Sequence, residues 1–339
     1  MLPRTLIAGL FLCLAGATAQ ADQLAMENGS VLIGTLISSD ETHVLFSTPF
    51  AGEIKIKKVN IKTIVAETGV TVLLQDGAVY KDKRIVEQGD DLIMLSDDQS
   101  PVLLNVPDIR LINPEPWRLG EGYRWFGRAS AALESERGNT DTDELDMDLE
   151  SVWRSLRDRY TIRGKWEIDE ANNERNKYHW LLRNKYDRFS SDDPDNYVGA
   201  QVVLEADEFA DLNLRAALGP YIGRQFLESP LLTLHGEVGL VGVEERFDTA
   251  PNNEFWGANW ELRLSSEILP GLELYADQFG VHNFSDSGAL ILNTTVGLRF
   301  PLIYGLEASA EARYEFDGGA VEGVDDTDET YNLKLGYKW

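Results

Sequence analysis

The stretch "TYNLKLGYKW", Thr330–Trp339, places Tyr331, Leu333, Leu335, Tyr337 and Trp339 on every second position, with Asn332, Lys334, Gly336 and Lys338 between them. A period of two is that of a β-strand with one apolar and one polar face. The chain carries a net charge of −26, so so clean an apolar stripe needs a reason. An edge strand left open in a soluble protein is normally defended by charge, proline or a bulge against pairing with other chains. This one has no such defence on its apolar face, which predicts that another strand covers its edge in a closed sheet.

The same beat recurs upstream, from Tyr123 onward. "WFGRASAAL" sets Trp125, Gly127, Ala129, Ala131 and Leu133 against Arg124, Arg128, Ser130 and Glu134. "LDMDLESVW" sets Leu145, Met147, Leu149 and Trp153 against Asp146, Asp148 and Glu150, and "YTIRGKWEID" sets Tyr160, Ile162, Trp166 and Ile168 against Arg163, Lys165, Glu167 and Asp169. Further segments bring the total to about twelve, each about nine to twelve residues long, the length a tilted strand needs to cross a hydrocarbon layer. An all-β chain is expected, with an antiparallel barrel of about 12 strands over residues 117–339.

Alternation alone does not say which face looks outward. About eight strands already give an interior just filled by side chains, so twelve leave a void, and much of the apolar face here is Ala, Gly and Leu. Turning the apolar face to lipid removes the conflict. The lumen is then lined by Arg163, Lys165, Glu167, Arg183, Lys185, Arg215, Glu237, Glu261, Arg263, Glu311 and Arg313 among others. A two-sheet soluble sandwich is the competing architecture. Aromatics near segment ends (Trp125, Trp153, Tyr178, Trp256 and Tyr337) suit the interfacial girdles of a membrane barrel.

Residues 1–21 carry one early charge, Arg4, an apolar run "LIAGLFLCLAGATA", and small residues Ala17, Ala19 and Ala21, the pattern of a secretory signal peptide. The only cysteine, Cys13, lies inside it, so the exported chain is expected to have no disulfide and no thiolate metal site. Between it and "NPEPW" (Asn113–Trp117) lies a repeat at an offset of 48 residues: Asn28-Gly29 matches Asp76-Gly77, and "IKIKKVNIKTI" from Ile54 matches "VLLNVPDIRLI" from Val102. Asn-Gly and Asp-Gly between apolar alternations are strong hairpin signals. Two small bent sheets are expected, over 22–66 and 67–116. Their Leu-x-Asn-Gly entry and Asp-Ile-x-x-Ile closing strand resemble Sm-like barrels. That family often binds RNA, but residues 22–116 hold eight Lys/Arg against fifteen Asp/Glu, a net of −7, which disfavours phosphate. A role in protein contact, self-association or gating is expected instead, with no nucleic acid.

If both barrel ends face the periplasm, the short connections Ser155–Asp158, Ser266–Gly271 and Pro301–Gly305 lie on that side. Longer ones such as Ser135–Glu144, Glu170–Lys177, Glu244–Glu254 and Asp317–Glu329 then lie outside. "ESERGNTDTDELDMDLESVW", with Gly138–Thr140 as its most distinctive element, together with the closing strand, resembles the salt-stress-induced outer-membrane proteins, a bacterial domain of unknown function. The resemblance covers roughly Tyr123–Trp339. It implies an outer-membrane barrel and supplies no catalytic residues. The alternating final strand with its aromatic end, Tyr331, Leu333, Leu335, Tyr337 and Trp339, also resembles the signal by which the barrel-assembly machinery recognises its clients. Lipid, lipopolysaccharide and that machinery are therefore the expected partners, with residues 22–116 in the periplasm.

The inward faces carry 14 positive and 15 negative groups on this assignment. A selective pore usually shows rings of one sign, so a narrow channel and a lumen closed by ion pairs are both expected readings. Asn139–Glu150 imitates a calcium loop, but Glu144 stands where glycine is needed. An outer-membrane lipase would need a nucleophile beside His43, His179, His235 or His282, and no G-x-S-x-G or H-E-x-x-H motif occurs. No enzyme activity, metal or cofactor is expected.

Overall fold

A computed structural model describes residues 21–88, 91–95, 101–136, 142–172, 174–228, 231–286, 289–320 and 324–339. Residues 1–20, where the signal peptide and Cys13 fall, and Gly138–Thr140 lie outside the described residues. The chain divides into two compact units between Glu115 and Pro116. Among the described residues there are strands and three short 3-10 turns and no α-helix.

The first unit holds β1 (Asp22–Met26), β2 (Val31–Ser39), β3 (His43–Thr48), β4 (Gly52–Lys57), β5 (Ile61–Leu74), β6 (Val79–Gln88), β7 (Asp91–Leu95), β8 (Val102–Leu104) and β9 (Ile109–Ile112). They form one strongly bent sheet in the order β4-β3-β2-β1-β5-β6-β7-β8, with β9 also on β5. The 48-residue repeat reappears in its register. Leu24 faces Ile64 and Ala25 faces Thr63, while Val72 faces Ile112 and Leu73 faces Leu111. Gly29 and Gly77 hold φ of +85° and +87°, a conformation open to glycine at little cost, and in both hairpins an Asx side chain accepts from the amide two residues on (Asn28 to Ser30 and Asp76 to Ala78). The boundary expected near residue 66 lies inside β5, whose first half closes one copy and whose second half opens the next. The two copies share one hydrophobic core that includes Leu24, Phe46, Ile64, Val72, Ile85, Met94 and Ile109.

The second unit is a closed barrel of twelve antiparallel strands: β10 (Arg124–Glu136), β11 (Thr142–Arg154), β12 (Asp158–Ala171), β13 (Glu174–Phe189), β14 (Asn196–Asp207), β15 (Leu212–Glu228), β16 (Leu232–Phe247), β17 (Asn253–Leu269), β18 (Leu272–Asn283), β19 (Leu290–Pro301), β20 (Leu306–Asp317) and β21 (Thr327–Lys338). The final strand pairs with β20 along its length and with β10 from Leu335 to Trp339, so its closing residues are covered from both sides and the ring is closed. Leu218, Ile222, Val238, Leu240, Trp256, Leu333 and Leu335 all project outward, exposed on the outer wall. Their neighbours along the chain turn inward.

Strand length departs from expectation. Strands reach 17 residues, and the expected long loop Glu170–Lys177 is instead the continuation of two strands, with register persisting to Ala171 opposite Glu174. Antiparallel hydrogen bonding needs no apolar face, so the ladder continues past the level where alternation fades. The turn-end aromatics form a lateral row on the outer surface. Trp125, Trp153, Tyr160 and Tyr186 occupy facing positions on four successive strands, and Trp125 also packs against Trp339, with ring centroids 5.7 Å apart.

The barrel lumen as candidate functional site

All eleven lumen candidates lie on inward faces, and the structure joins them into networks. Glu261 on β17 is buried and accepts from Lys185 Nζ at 2.6 Å and from Arg163 Nη1 at 2.6 Å, with Arg183 Nη1 at 3.5 Å. Lys185 donates also to Glu237, which accepts from the Tyr197 hydroxyl at 2.8 Å. Beside it, Asp187 accepts from Arg159 Nε at 2.6 Å and from the Tyr221 hydroxyl. None of these carboxylates is left with a single partner, as a low-dielectric interior demands.

A second network lies nearer the loop end of the barrel. Arg313 reaches Glu167 at 2.6 Å, Asp148 at 3.2 Å and Glu311 at 3.1 Å. Lys165 bonds Glu315 at 2.7 Å and approaches Glu167 at 3.1 Å. The ring nitrogens of His179 lie 3.2 Å from Glu167 and 3.2 Å from Glu205, and Arg215 continues the chain through Glu205, Glu245 and Asp317.

Several of these pairs cross the barrel. Arg263 on β17 meets Glu150 on β11 at 2.8 Å, six strands away in a ring of twelve. Arg163 on β12 meets Glu261 on β17, and Arg215 on β15 meets Asp317 on β20. A circular twelve-stranded barrel with a strand spacing of about 4.8 Å and the usual tilt would hold opposite backbones roughly 24 Å apart. An Arg and a Glu reaching toward each other span roughly 14 Å from Cα to Cα. The walls are therefore drawn together, and the cross-section is flattened where these pairs form. The lumen holds a chamber of about 220 Å³ lined by residues such as Arg163, Arg183, Asp277 and Arg313, and a pocket of about 90 Å³ at the loop end, lined by Glu167, His179, Asp326 and Asp328.

One part of the lining was not legible in the sequence. Val203, Ala217, Val241, Val243, Phe255, Phe279, Val281 and Ile291 point inward and form a buried cluster, with Leu181 packed against it. The guanidinium of Arg183 lies over Phe279, 3.8 Å from the ring centroid. The polar lining expected from alternation is thus corrected: on β13–β16 an apolar layer (Leu181, Val203, Ala217, Val241, Val243) lies between charged levels above and below it.

The metal-like constellations do not gather into a centre. Glu167, His179 and Glu315 lie close enough to share an ion, but the Lys165 ammonium already sits between the two carboxylates. Of the calcium-like stretch, Asn139 and Asp141 lie outside the described residues, and Asp146, Asp148 and Glu150 face the lumen from a regular strand.

A family model described as a protein of unknown function, DUF481, matches residues 129–339. The chain belongs to the DUF481 family. The match spans nearly all of the barrel and none of the first unit. No curated protein sequence matches. Among solved structures, the chain is similar to the NanC porin, at 9% identity and TM-score 0.41, over 64% of this chain and all of that one. It is similar also to the translocator domain of the autotransporter NalP from Neisseria meningitidis, at 10% identity and TM-score 0.35, over 65% of this chain and 89% of that one. A third likeness is to the outer membrane channel DcaP of Acinetobacter baumannii, at 10% identity and TM-score 0.32, over 94% of both chains. These likenesses are too distant to lend this DUF481 protein a solute or a partner, and the barrel stands on its own strand pairing.

Proposed function

We propose that this DUF481 protein is an exported outer-membrane barrel whose lumen is shut at rest, a closed envelope barrel and not a constitutively open channel. The observation that carries this reading is the set of ion pairs joining opposite walls, above all Arg263 to Glu150 and Arg163 to Glu261. The apolar outer wall supports placement in lipid, where strands cross only as a ring that closes on itself, as β10 and β21 close this one. The leader-like residues 1–21, the salt-stress resemblance and the Tyr331–Trp339 strand support export to a bacterial outer membrane through the barrel-assembly machinery, with lipopolysaccharide as neighbour and the first unit in the periplasm. That unit's repeated Sm-like hairpins and net acidity fit protein contact or self-association.

Planar-bilayer recording of the mature chain tests the closure. The intact protein should give no steady conductance, whereas Glu150→Gln with Arg263→Gln should produce discrete openings by releasing one cross-barrel tie. Steady conductance by the unaltered protein would overturn the closed reading and restore the narrow channel.

A further inference from the structure

Eleven of the twelve junctions in the barrel wall are long ladders. The β10–β11 junction has 13 facing pairs, from Arg124 with Arg154 to Glu136 with Thr142, and β20–β21 has 11. The junction that closes the ring has four, from Arg128 with Lys338 to Ala131 with Leu335. Reciprocal backbone bonds between Gly127 and Trp339 extend it only toward the turn end. Past Ala131 both strands continue, each held by its other neighbour, but they no longer pair with one another. A cavity of about 360 Å³ lies at this opening. Leu133, Tyr331 and Leu333 border it from the outer surface, and Asp146, Glu167 and Lys177 from the lumen. It sits in the parted seam, with residues of both faces of the wall in its lining.

The polar end of the cavity is acidic: Glu134, Glu144, Asp146, Glu167 and Asp169 line it with one ammonium, Lys177. Asp146 is 9% exposed, and its Oδ1 receives no hydrogen bond; Arg313 Nη1 lies 3.9 Å from it and Lys334 Nζ lies 3.8 Å from Oδ2, both beyond bonding distance. Its Oδ2 accepts from Asn332, across the parted seam. Next to it Glu134 faces Glu144, and Glu144 faces Asp169, on adjacent strands. Like charges directly opposite on a sheet repel, and Asp169 in turn faces Lys177. The outer mouth, by contrast, is bordered by two leucines and a tyrosine.

We propose that the β10–β21 seam is a lateral portal that binds a single-chain amphiphile bearing a primary ammonium head, with the head beside Asp146 and the tail passing between Leu133 and Leu333 into the surrounding lipid. This rests on the outer wall being lipid-facing.

The test uses the mature full chain in zwitterionic lipid nanodiscs, with dodecylamine as probe and dodecyl sulfate as its counterpart of the same tail and opposite charge. Dodecylamine should show saturable binding of one molecule per barrel above protein-free discs, and dodecyl sulfate should show none. Asp146→Asn should weaken dodecylamine binding about tenfold, the order expected for loss of a charge-assisted contact. A Leu133→Cys, Leu333→Cys pair should lose the binding when oxidised and regain it on reduction, with heat-modified gel mobility checking that the barrel stays folded. Equal uptake of both probes, no saturable uptake, or uptake indifferent to Asp146→Asn would overturn the portal. Failure of the chain to enter nanodiscs at all would instead overturn the lipid-facing reading beneath it.

Discussion

The two units use the same two-residue alternation and turn it in opposite directions. In the nine-stranded sheet the apolar residues Leu24, Phe46, Ile64 and Ile85 are wholly buried inside. In the barrel Leu218, Val238, Leu333 and Leu335 stand outward, while Lys185, Glu237, Glu261 and Lys334 are buried in the lumen. Alternation fixes that a segment is a strand with two unlike faces. It does not fix which face water sees. The number of strands and the closure of the ring do: a small bent sheet has an interior its own side chains can fill, and a twelve-stranded ring has one that small apolar residues cannot.

Substitutions can break this contrast. The largest effect is expected at the buried centres of both units. Phe46→Ala should cost the first unit about 3–5 kcal/mol through the cavity it leaves, read as a lowered urea midpoint for proteolysis within residues 22–115 of the full chain. Glu261→Ala should cost the barrel a similar amount, about 3–5 kcal/mol, because Lys185, Arg163 and Arg183 would lose a shared buried partner. Urea unfolding in lipid vesicles checks it, and an unchanged midpoint would show that water already reaches the lumen at that level.

A smaller effect separates the two surfaces. Leu218→Arg on the barrel wall should cost about 2–4 kcal/mol in a bilayer, whereas Leu103→Arg, equally exposed on the first unit, should stay within about 0.5 kcal/mol. Equal costs in the same vesicle assay would erase the contrast.

The smallest expected effect is a pH dependence in the first unit. Lys58 donates to the carbonyls of Ile109 at 3.2 Å and Arg110 at 2.6 Å, and burial lowers its pKa from 10.5 to about 8, against the opposing pull of Asp40 and Glu41. Between those values the unfolded chain binds more protons than the folded one, so stability rises with pH through that window. The cost of holding the ammonium is fully present below about 8. The proteolysis midpoint of residues 22–115 should rise modestly from pH 7 to pH 9.5, and Lys58→Met should flatten the change.

Much of this architecture was legible in the residues, and what was hidden has physical causes. The strands of the barrel stood out because one face is apolar and the other charged, as in Tyr331–Trp339 and Tyr160–Ile168. The repeat stood out because Asn28-Gly29 and Asp76-Gly77 demand the same turn. The apolar layer of the lumen did not, because in Leu240–Val243 and Phe279–Val281 inward and outward residues are both apolar or small, and contrast between faces disappears. Their signal is the loss of alternation itself. The strand ends around Glu170–Lys177 were hidden because a hydrogen-bonded hairpin with polar residues on both faces has the composition of a loop. The parted seam had no sequence signal, since it depends on the register between the first and last strands of the barrel.

Single-cysteine bimane labels at Leu218, Val238 and Leu333, on a chain whose native cysteine has been removed, address the central claim most directly. In vesicles of doxyl-labelled lipid the account predicts strong quenching at all three positions by the lipid-borne label and little by aqueous iodide. Quenching by iodide and not by the lipid label would mean that the apolar wall faces water, and would contradict it.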